Sequence, residues 1–347
     1  MSHPAIQRIV PSLWFNRNAQ EGANFHIDAF QSALGPHAVT PSSTGITHIS
    51  HYPTKGLPDF QKDFAGEVLE VRYSICGFEL SAINSDDSFT MDPSISLAVV
   101  IDPSIVDQAE ERIHALHSAL IAGGGRDLMP LGEYPFSPLY TWVQDRYGMT
   151  WQLSLPFAGE VVANAAANHP DPAHTAPSAL APVKIIPTLL FPAHRSHGAE
   201  ALQRWSEVFD AAFGNSALGV LSFQSDHTAG DEGTPLGDSN ALLYGSTLLA
   251  GTTIAAMENP GQQDFTFSCA LSFQIMCDTQ EQIDLVWEGL SAVPEAEICG
   301  WLQDRFGVSW QVCPSNITEL MSRPGAFEAM ATMKKPLLAT YDALPST

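Results

Sequence analysis

The chain has 347 residues, of which 45% are hydrophobic and 9% aromatic, enough apolar material for the cores of two domains and too much for a disordered chain. Its 38 acidic side chains against 15 basic ones leave a formal net charge of −23, which excludes nucleic acid as a partner recognised through a basic footprint. No run reaches the roughly 18 apolar residues of a membrane span, and the start, MSHPAIQRIVPSLWF, has no basic stretch before an apolar core, so a cytoplasmic chain with no membrane partner is expected.

In chain order, RIVPSLWF (8–15) is an apolar run short enough for a strand. Ala23, Ile27 and Phe30, with Phe25 and Ala29 beside them, recur at helical spacing. EVLEVRYSICGFELSAIN (67–84) carries a Cys-Gly turn between two β-rich runs and predicts a hairpin. ISLAVVID (95–102) is a strand ending in Asp102, which is expected to cap a helix starting at once with Pro103. The stripe Val106, Ala109, Ile113, Leu116, Leu120 stops at Gly123-Gly124-Gly125. This glycine run follows a helix rather than joining strand to helix, so it reads as a terminator and not as a phosphate cradle. MTWQLSL (149–155) closes the series as a strand, and residues 157–182, rich in Ala and Pro, read as a linker.

The series then starts again. KIIPTLLF (184–191) predicts a strand, Leu202, Trp205 and Phe209 mark an amphipathic helix, and ALLYGSTLLAGTTIAAMEN (241–259) predicts a second hairpin. LSFQIMCD (271–278) ends in Asp278 with Glu281 three residues on, as in a capping box, and VSWQVCP (308–314) closes. The residues themselves repeat: WVQDRYGMTWQL (142–153) matches WLQDRFGVSWQV (301–312), IVPSLWF (9–15) matches IIPTLLF (185–191), and SFTMDPSISLAVVID (88–102) matches DFTFSCALSFQIMCD (264–278). One unit is duplicated. The expected domains are 1–156 and 183–347, the second ending in a helical tail.

The closing W-x-Q-D-R-[YF]-G-x-[ST]-W-Q, the helices with FHIDAF and RWSEVF, and the tail PSNITELMSRPGAFEAMATMKK resemble the PhnB-like branch of the glyoxalase/bleomycin-resistance, or vicinal oxygen chelate, superfamily. Relatives in that branch are often labelled demethylubiquinone methyltransferase-like. The resemblance implies an α+β fold of tandem glyoxalase-like domains, each of two βαβββ modules forming a curled antiparallel sheet with helices outside. Single-copy relatives usually dimerise, so the chain is expected to be an intrachain pseudo-dimer held at high effective concentration, with a further homodimer left open.

Metal-dependent members of the superfamily hold a divalent ion with inward His and Glu side chains, the last standing four residues after a Gly in the closing motif. Here that place is taken by Gln152 after Gly148 and by Gln311 after Gly307. The other two places fall near Val10–Pro11 and Ser94–Ser96, and near Ile186–Pro187 and Ala270–Ser272. None is His, Asp or Glu, and an amide oxygen is a weak ligand for a transition metal, so neither a metal nor another cofactor is expected. Strand alternation puts Gln152 opposite to Trp151 and Leu153, facing the cavity, where it would bond a ligand or a neighbouring strand. Ser96 and Ser272 either line the same cavity or satisfy sheet carbonyls. Trp14 and Phe15 are candidates for a pocket wall, and Asn84 and Asn259, at strand ends, either present an amide to a ligand or form turns. Trp142, Trp151, Trp301 and Trp310 suit the core or ligand stacking, and Asp145 and Asp304 suit turn caps.

The remaining candidates read as structural. His48 with His51, and His194 with His197, are three apart, which suits one helix face but not a strand. His26, His114 and His117 read as helix side chains, and the five cysteines, Cys76, Cys269, Cys277, Cys299 and Cys313, as reduced thiols with no CxxC pair. No GxSxG elbow is present, and no Gly-rich strand-to-helix turn supports the methyltransferase label. The expected function is binding of a small, partly apolar molecule in the curled sheet, with any reaction metal-independent. The alternatives are a metal-dependent lyase, isomerase or dioxygenase of the same superfamily, and drug sequestration of the bleomycin-resistance type, for which the acidic charge favours a cationic ligand.

Overall fold

The computed structural model describes residues 7–38, 43–156, 182–192, 197–223, 241–259 and 263–345. The linker expected at 157–182 lies outside the described residues except for its last position, as does His194. The first copy runs β1 (Ile9–Asn16), α1 (Ala19–Ala38), β2 (Gly45–His51), β3 (Val68–Ile75), β4 (Phe78–Ser85), then β5 (Ile95–Ile101), α2 (Ala109–Ile121), β6 (Arg126–Tyr134), β7 (Ser137–Gln144) and β8 (Thr150–Leu155). The second runs β9 (Val183–Pro192), α3 (Gly198–Phe213), β10 (Ala217–Phe223), β11 (Leu242–Leu249), β12 (Thr252–Asn259), then β13 (Leu271–Cys277), α4 (Gln280–Leu290), β14 (Trp301–Gln303) and β15 (Ser309–Pro314). A tail of short helices follows: α5 (Ile317–Met321), α6 (Ala326–Thr332) and α7 (Leu338–Asp342).

The strands form two sheets, β14-β15-β13-β1-β4-β3-β2 and β10-β11-β12-β9-β5-β8-β7-β6. The α+β class with two curled sheets holds, and the connectivity corrects the expected antiparallel sheet of each copy in two respects. The sheets are mixed, because β1 runs parallel to β4, β5 to β8, β9 to β12 and β13 to β15. Each sheet also takes one module from each copy, joined by antiparallel pairing of β1 with β13 and of β5 with β9. The two copies thus exchange modules as the halves of a dimer would, within one chain. An ion pair of 2.5 Å between Arg8 and Asp278 fastens the start of the first copy to the second.

Alternation along the strands explains the layers. Ile9, Leu13, Phe15, Trp151, Leu153, Phe273, Trp310 and Val312 face the helices and build one core with Phe30 of α1 and Trp205 and Phe209 of α3. Their even-numbered or odd-numbered neighbours face the hollow of each sheet. Helix starts differ from the sequence expectation. The Asp102 carboxylate holds the Ser104 amide (2.8 Å) and hydroxyl (2.6 Å) in a turn, and α2 begins only at Ala109, after Gln108 with φ of 56°. Thr279, not Asp278, caps α4 by accepting the Gln282 amide at 3.2 Å, while Gln282 accepts the Asp278 amide at 2.7 Å. The fourth module also lacks a counterpart of β6. A single 3₁₀ turn, Pro294–Ala296, stands there, and the tail covers the place: the Cys299 and Gly300 amides donate to the Met333 and Lys334 carbonyls, both at 2.8 Å.

Candidate functional site in the two sheet hollows

The duplicated motif is a folding device. Asp145 accepts the amides of Tyr147 (2.9 Å) and Met149 (3.1 Å) on one oxygen, and on the other meets the Trp151 indole (3.0 Å) and His26 Nε2 (2.9 Å). Asp304 repeats this with the amides of Phe306 (2.9 Å) and Val308 (3.0 Å) and the indoles of Trp310 and Trp205 (both 2.9 Å). Burial pushes the Asp304 carboxyl up, and the four donated hydrogen bonds only partly offset it. Trp205 therefore does in the second copy what His26 does in the first. His26 is fully buried, with its other nitrogen on the Tyr73 hydroxyl at 2.9 Å. Trp151 and Trp310, both at 0% exposure, are core residues.

Cross-strand register maps each hollow. In the eight-stranded sheet one row reads Ile186, Ala98, Gln152, Trp142, Met129, and the next Lys184, Val100, Ser154, Tyr140, Gly132. In the seven-stranded sheet the matching row is Val10, Gln274, Gln311, Trp301, and the adjacent one is Ser272, Ser12, Ser81, Arg72, His48. Both hollows share a polar spine. Gln152 donates to Ser96 Oγ at 2.6 Å and Ser96 reaches the Thr188 carbonyl at 3.5 Å. Gln311 donates to Ser272 Oγ at 2.9 Å and Ser272 reaches the Ser12 carbonyl at 3.5 Å. The serines thus line the hollow and also satisfy sheet carbonyls. In the eight-stranded sheet Tyr140 adds a hydrogen bond to Gln152 Oε1 at 3.0 Å. Burial pushes the Tyr140 hydroxyl up, so it stays a neutral donor at ordinary pH.

The seven-stranded hollow carries a charged network in addition. Glu70 accepts from Ser81 (2.6 Å) and Gln274 (3.0 Å), and Arg72 donates to Gln274 Oε1 at 2.7 Å. The tail lies over this floor. Cys313, on the same face as Gln311, has its thiol pushed up to about 12 by burial, and Tyr341 of α7, at 1% exposure, has its hydroxyl pushed up by burial and by Cys313 and Cys299. At the far edge Phe327 of α6 meets Tyr52 edge-on at 6.2 Å.

The sequence candidates separate accordingly. Trp14 faces the seven-stranded hollow, edge-on to Trp301 at 6.3 Å, with its indole donating to the Asp86 carbonyl at 2.8 Å. Phe15 does not wall a pocket; it is 2% exposed on the helix side and packs on Tyr147 at 5.7 Å, because one step along a strand reverses the face. Asn84 has both ends of its amide committed, Oδ1 to the first amide of α1 (Ala19, 2.7 Å) and Nδ2 to the Val68 carbonyl (3.0 Å). Its counterpart is Glu258, which accepts the Gly198 amide at 2.7 Å and the Leu242 amide at 2.9 Å. Asn259 lies one step further, opposite Pro192. A cleft of about 500 Å³ on the rim beside Asn84 is lined by Arg17, Glu21, His51 and Glu67, with Arg17 and Glu67 paired to each other at 2.7 Å. Sequence reasoning missed Ser12, Glu70, Arg72, Ser81, Gln274 and Tyr140. The signal was polar residues at every second place in apolar strands, as in Glu70 and Arg72 between Val71 and Tyr73.

The donor set does not fit a transition metal. Among the described residues the floors offer mainly amides and hydroxyls; the Glu70 carboxylate already has Arg72 beside it at 3.3 Å, and His48 stands at the far end of its row. Among the described residues no group of three or more His, Cys, Asp or Glu side chains converges, and no helix is long and apolar enough to cross a membrane.

Two curled mixed sheets, each assembled from modules of two copies around a hollow, define a tandem protein of the vicinal oxygen chelate fold. Within that class the chain belongs to the PhnB-like family whose model is described as 3-demethylubiquinone-9 3-methyltransferase, matched over residues 7–154 and again over 183–313. A Bacillus cereus structure described as a 3-demethylubiquinone-9 3-methyltransferase, PhnB protein, is 32% identical with a TM-score of 0.33, covering 43% of this chain and 99% of its own. TioX from Micromonospora is 12% identical with a TM-score of 0.27, covering 44% of this chain and 100% of its own. Glyoxalase I from Zea mays is 9% identical with a TM-score of 0.43, covering 89% of this chain and 94% of its own. No curated protein matches the chain.

Proposed function

We propose that the chain binds a small, partly apolar molecule in the hollow of its curled sheets, in the cytoplasm, and that any reaction there proceeds without a resident metal. One observation carries the reading: each hollow floor holds a buried polar atom without a hydrogen-bond partner, Ser12 Oγ in the seven-stranded sheet and Trp142 Nε1 in the eight-stranded one. An unpaired buried donor or acceptor costs about 1–3 kcal/mol. A bound molecule with a complementary oxygen or N–H relieves that cost in the hollow that receives it, where Gln152 or Gln311, held by its serine, orients it. A methyl donor of nucleotide type finds no glycine-rich cradle in the described strand-to-helix turns Arg17-Asn18, 102–108 and Asp278-Thr279.

Native mass spectrometry of the full chain purified without chelators tests this. An organic mass that departs on unfolding is the expected result. A stoichiometric divalent ion, lost in Gln152→Leu or Gln311→Leu, overturns it.

A further inference from the structure

Resting on that reading, we propose that only the hollow of the eight-stranded sheet receives the ligand, and that the ligand is a planar aromatic carboxylate. The two hollows are built on one plan and filled differently. Where the seven-stranded floor has Gln274, the eight-stranded floor has Ala98, and where it has Val10, the other has Ile186. Val10 and Gln274 are 1% and 4% exposed, whereas Ala98 and Ile186 are half-buried. The Glu70–Arg72–Gln274 network fills one floor with its own side chains, and Tyr341 of the tail stands near Cys313 at its edge.

The chemistry of the other floor selects its guest. Ala98, Ile186, Met129 and the Tyr140 and Trp142 rings give an apolar, flat-sided surface that suits a planar ring system. Trp142 Nε1 can only donate, and it is buried and unpaired, so the guest must bring an acceptor. Lys184 stands in the adjacent row, half-buried, and no described carboxylate pairs with it. The field of a chain of net charge −23 opposes anions as a whole, so this ammonium, with no carboxylate partner among the described residues, is the local group that receives an anionic end of the guest. Space is available as well: a Cβ added at Gly132, across from Tyr140, would meet nothing within 4 Å.

The test titrates the full chain with sodium 2-naphthoate while following the indole N–H resonances by NMR, the Trp142 signal being the one missing in Trp142→Phe. Saturable binding of one equivalent per chain is expected, with the Trp142 signal moving downfield. Trp142→Phe should weaken binding by about tenfold, the worth of one hydrogen bond. Lys184→Met should weaken 2-naphthoate but not 2-naphthamide, and Gly132→Leu should abolish binding with an unchanged circular dichroism spectrum. Trp301→Phe, in the other hollow, should change nothing. If Trp301→Phe weakens binding and Trp142→Phe and Gly132→Leu do not, the inference falls while the proposed function stands. Absence of saturable binding up to millimolar 2-naphthoate also overturns the inference, and the native mass spectrum then judges the proposed function separately.

Discussion

Replacing Asp304 by Asn tests whether the duplicated motif is a folding device. The carboxylate is surrounded by four donors: two backbone amides on one oxygen and two indole N–H groups on the other, all within 3.0 Å. An amide can keep the backbone pair on its oxygen only by turning its own NH₂ toward Trp205 and Trp310, donor against donor. Two charge-assisted hydrogen bonds are then lost and the indoles stay buried without partners, at about 1.5–3 kcal/mol each, or about 3–6 kcal/mol in all. That is a large part of a typical folding free energy of about 5–15 kcal/mol. Urea unfolding of Asp304→Asn should show a much lower midpoint with an unchanged slope, and adding Trp205→Phe should cost less than the sum of the two changes, since one opposed donor is removed. Burial raises the Asp304 carboxyl on balance, so the native chain loses some stability as pH rises through the raised folded value, and the cost of Asp304→Asn is read above that value, where the carboxylate is ionised and accepts all four hydrogen bonds. A loss below about 1 kcal/mol, or a loss of ligand binding with stability intact, would refute the folding role.

Asp278 titrates in the opposite sense. Arg8 holds its carboxyl below the usual range, so the stability is present above the unfolded value and lost as pH falls through the folded one; Asp278→Asn should flatten the acid limb of a thermal-stability profile by less than about 1 kcal/mol, as suits a solvent-screened pair. Glu258→Gln leaves one of the Gly198 and Leu242 amides facing an NH₂ group and should cost about 1–3 kcal/mol in urea unfolding. Asn84→Ala removes the side chain that receives the first amide of α1 and should cost about 1 kcal/mol or more. Tyr341→Ala should uncover Cys313, whose thiol burial now holds up at about 12, and speed its reaction with a thiol reagent by at least roughly tenfold, since only an exposed thiolate reacts.

Much of the fold was legible because the duplication shows in the residues. The strands, the amphipathic helices and both hairpins follow from period and turn chemistry; Cys76-Gly77 and Ala250-Gly251 adopt the paired positive φ that tight hairpins need. The exchange of modules was not legible, because either partner of β1 buries the same apolar face, and only three-dimensional closure decides between them. Asn259 shares the residue type and strand-end place of Asn84, but the register makes Glu258 the counterpart, a carboxylate that takes two amides where the Asn84 amide takes one and gives one. Phe15 was misplaced because an aromatic at a strand end looks the same from either face. Glu70 and Gln274 are not legible as a pair because they meet across strands far apart in sequence, and Ser12 gives no signal because its hydroxyl has no protein partner.

The most direct measurement is a high-resolution electron density map of the full chain co-crystallised with the organic species found by mass spectrometry. Density for a flat molecule is expected between Trp142, Tyr140 and Gln152, with an oxygen within hydrogen-bond reach of Trp142 Nε1. An ion held by side chains of either hollow, or an empty floor with the molecule bound elsewhere, would contradict it.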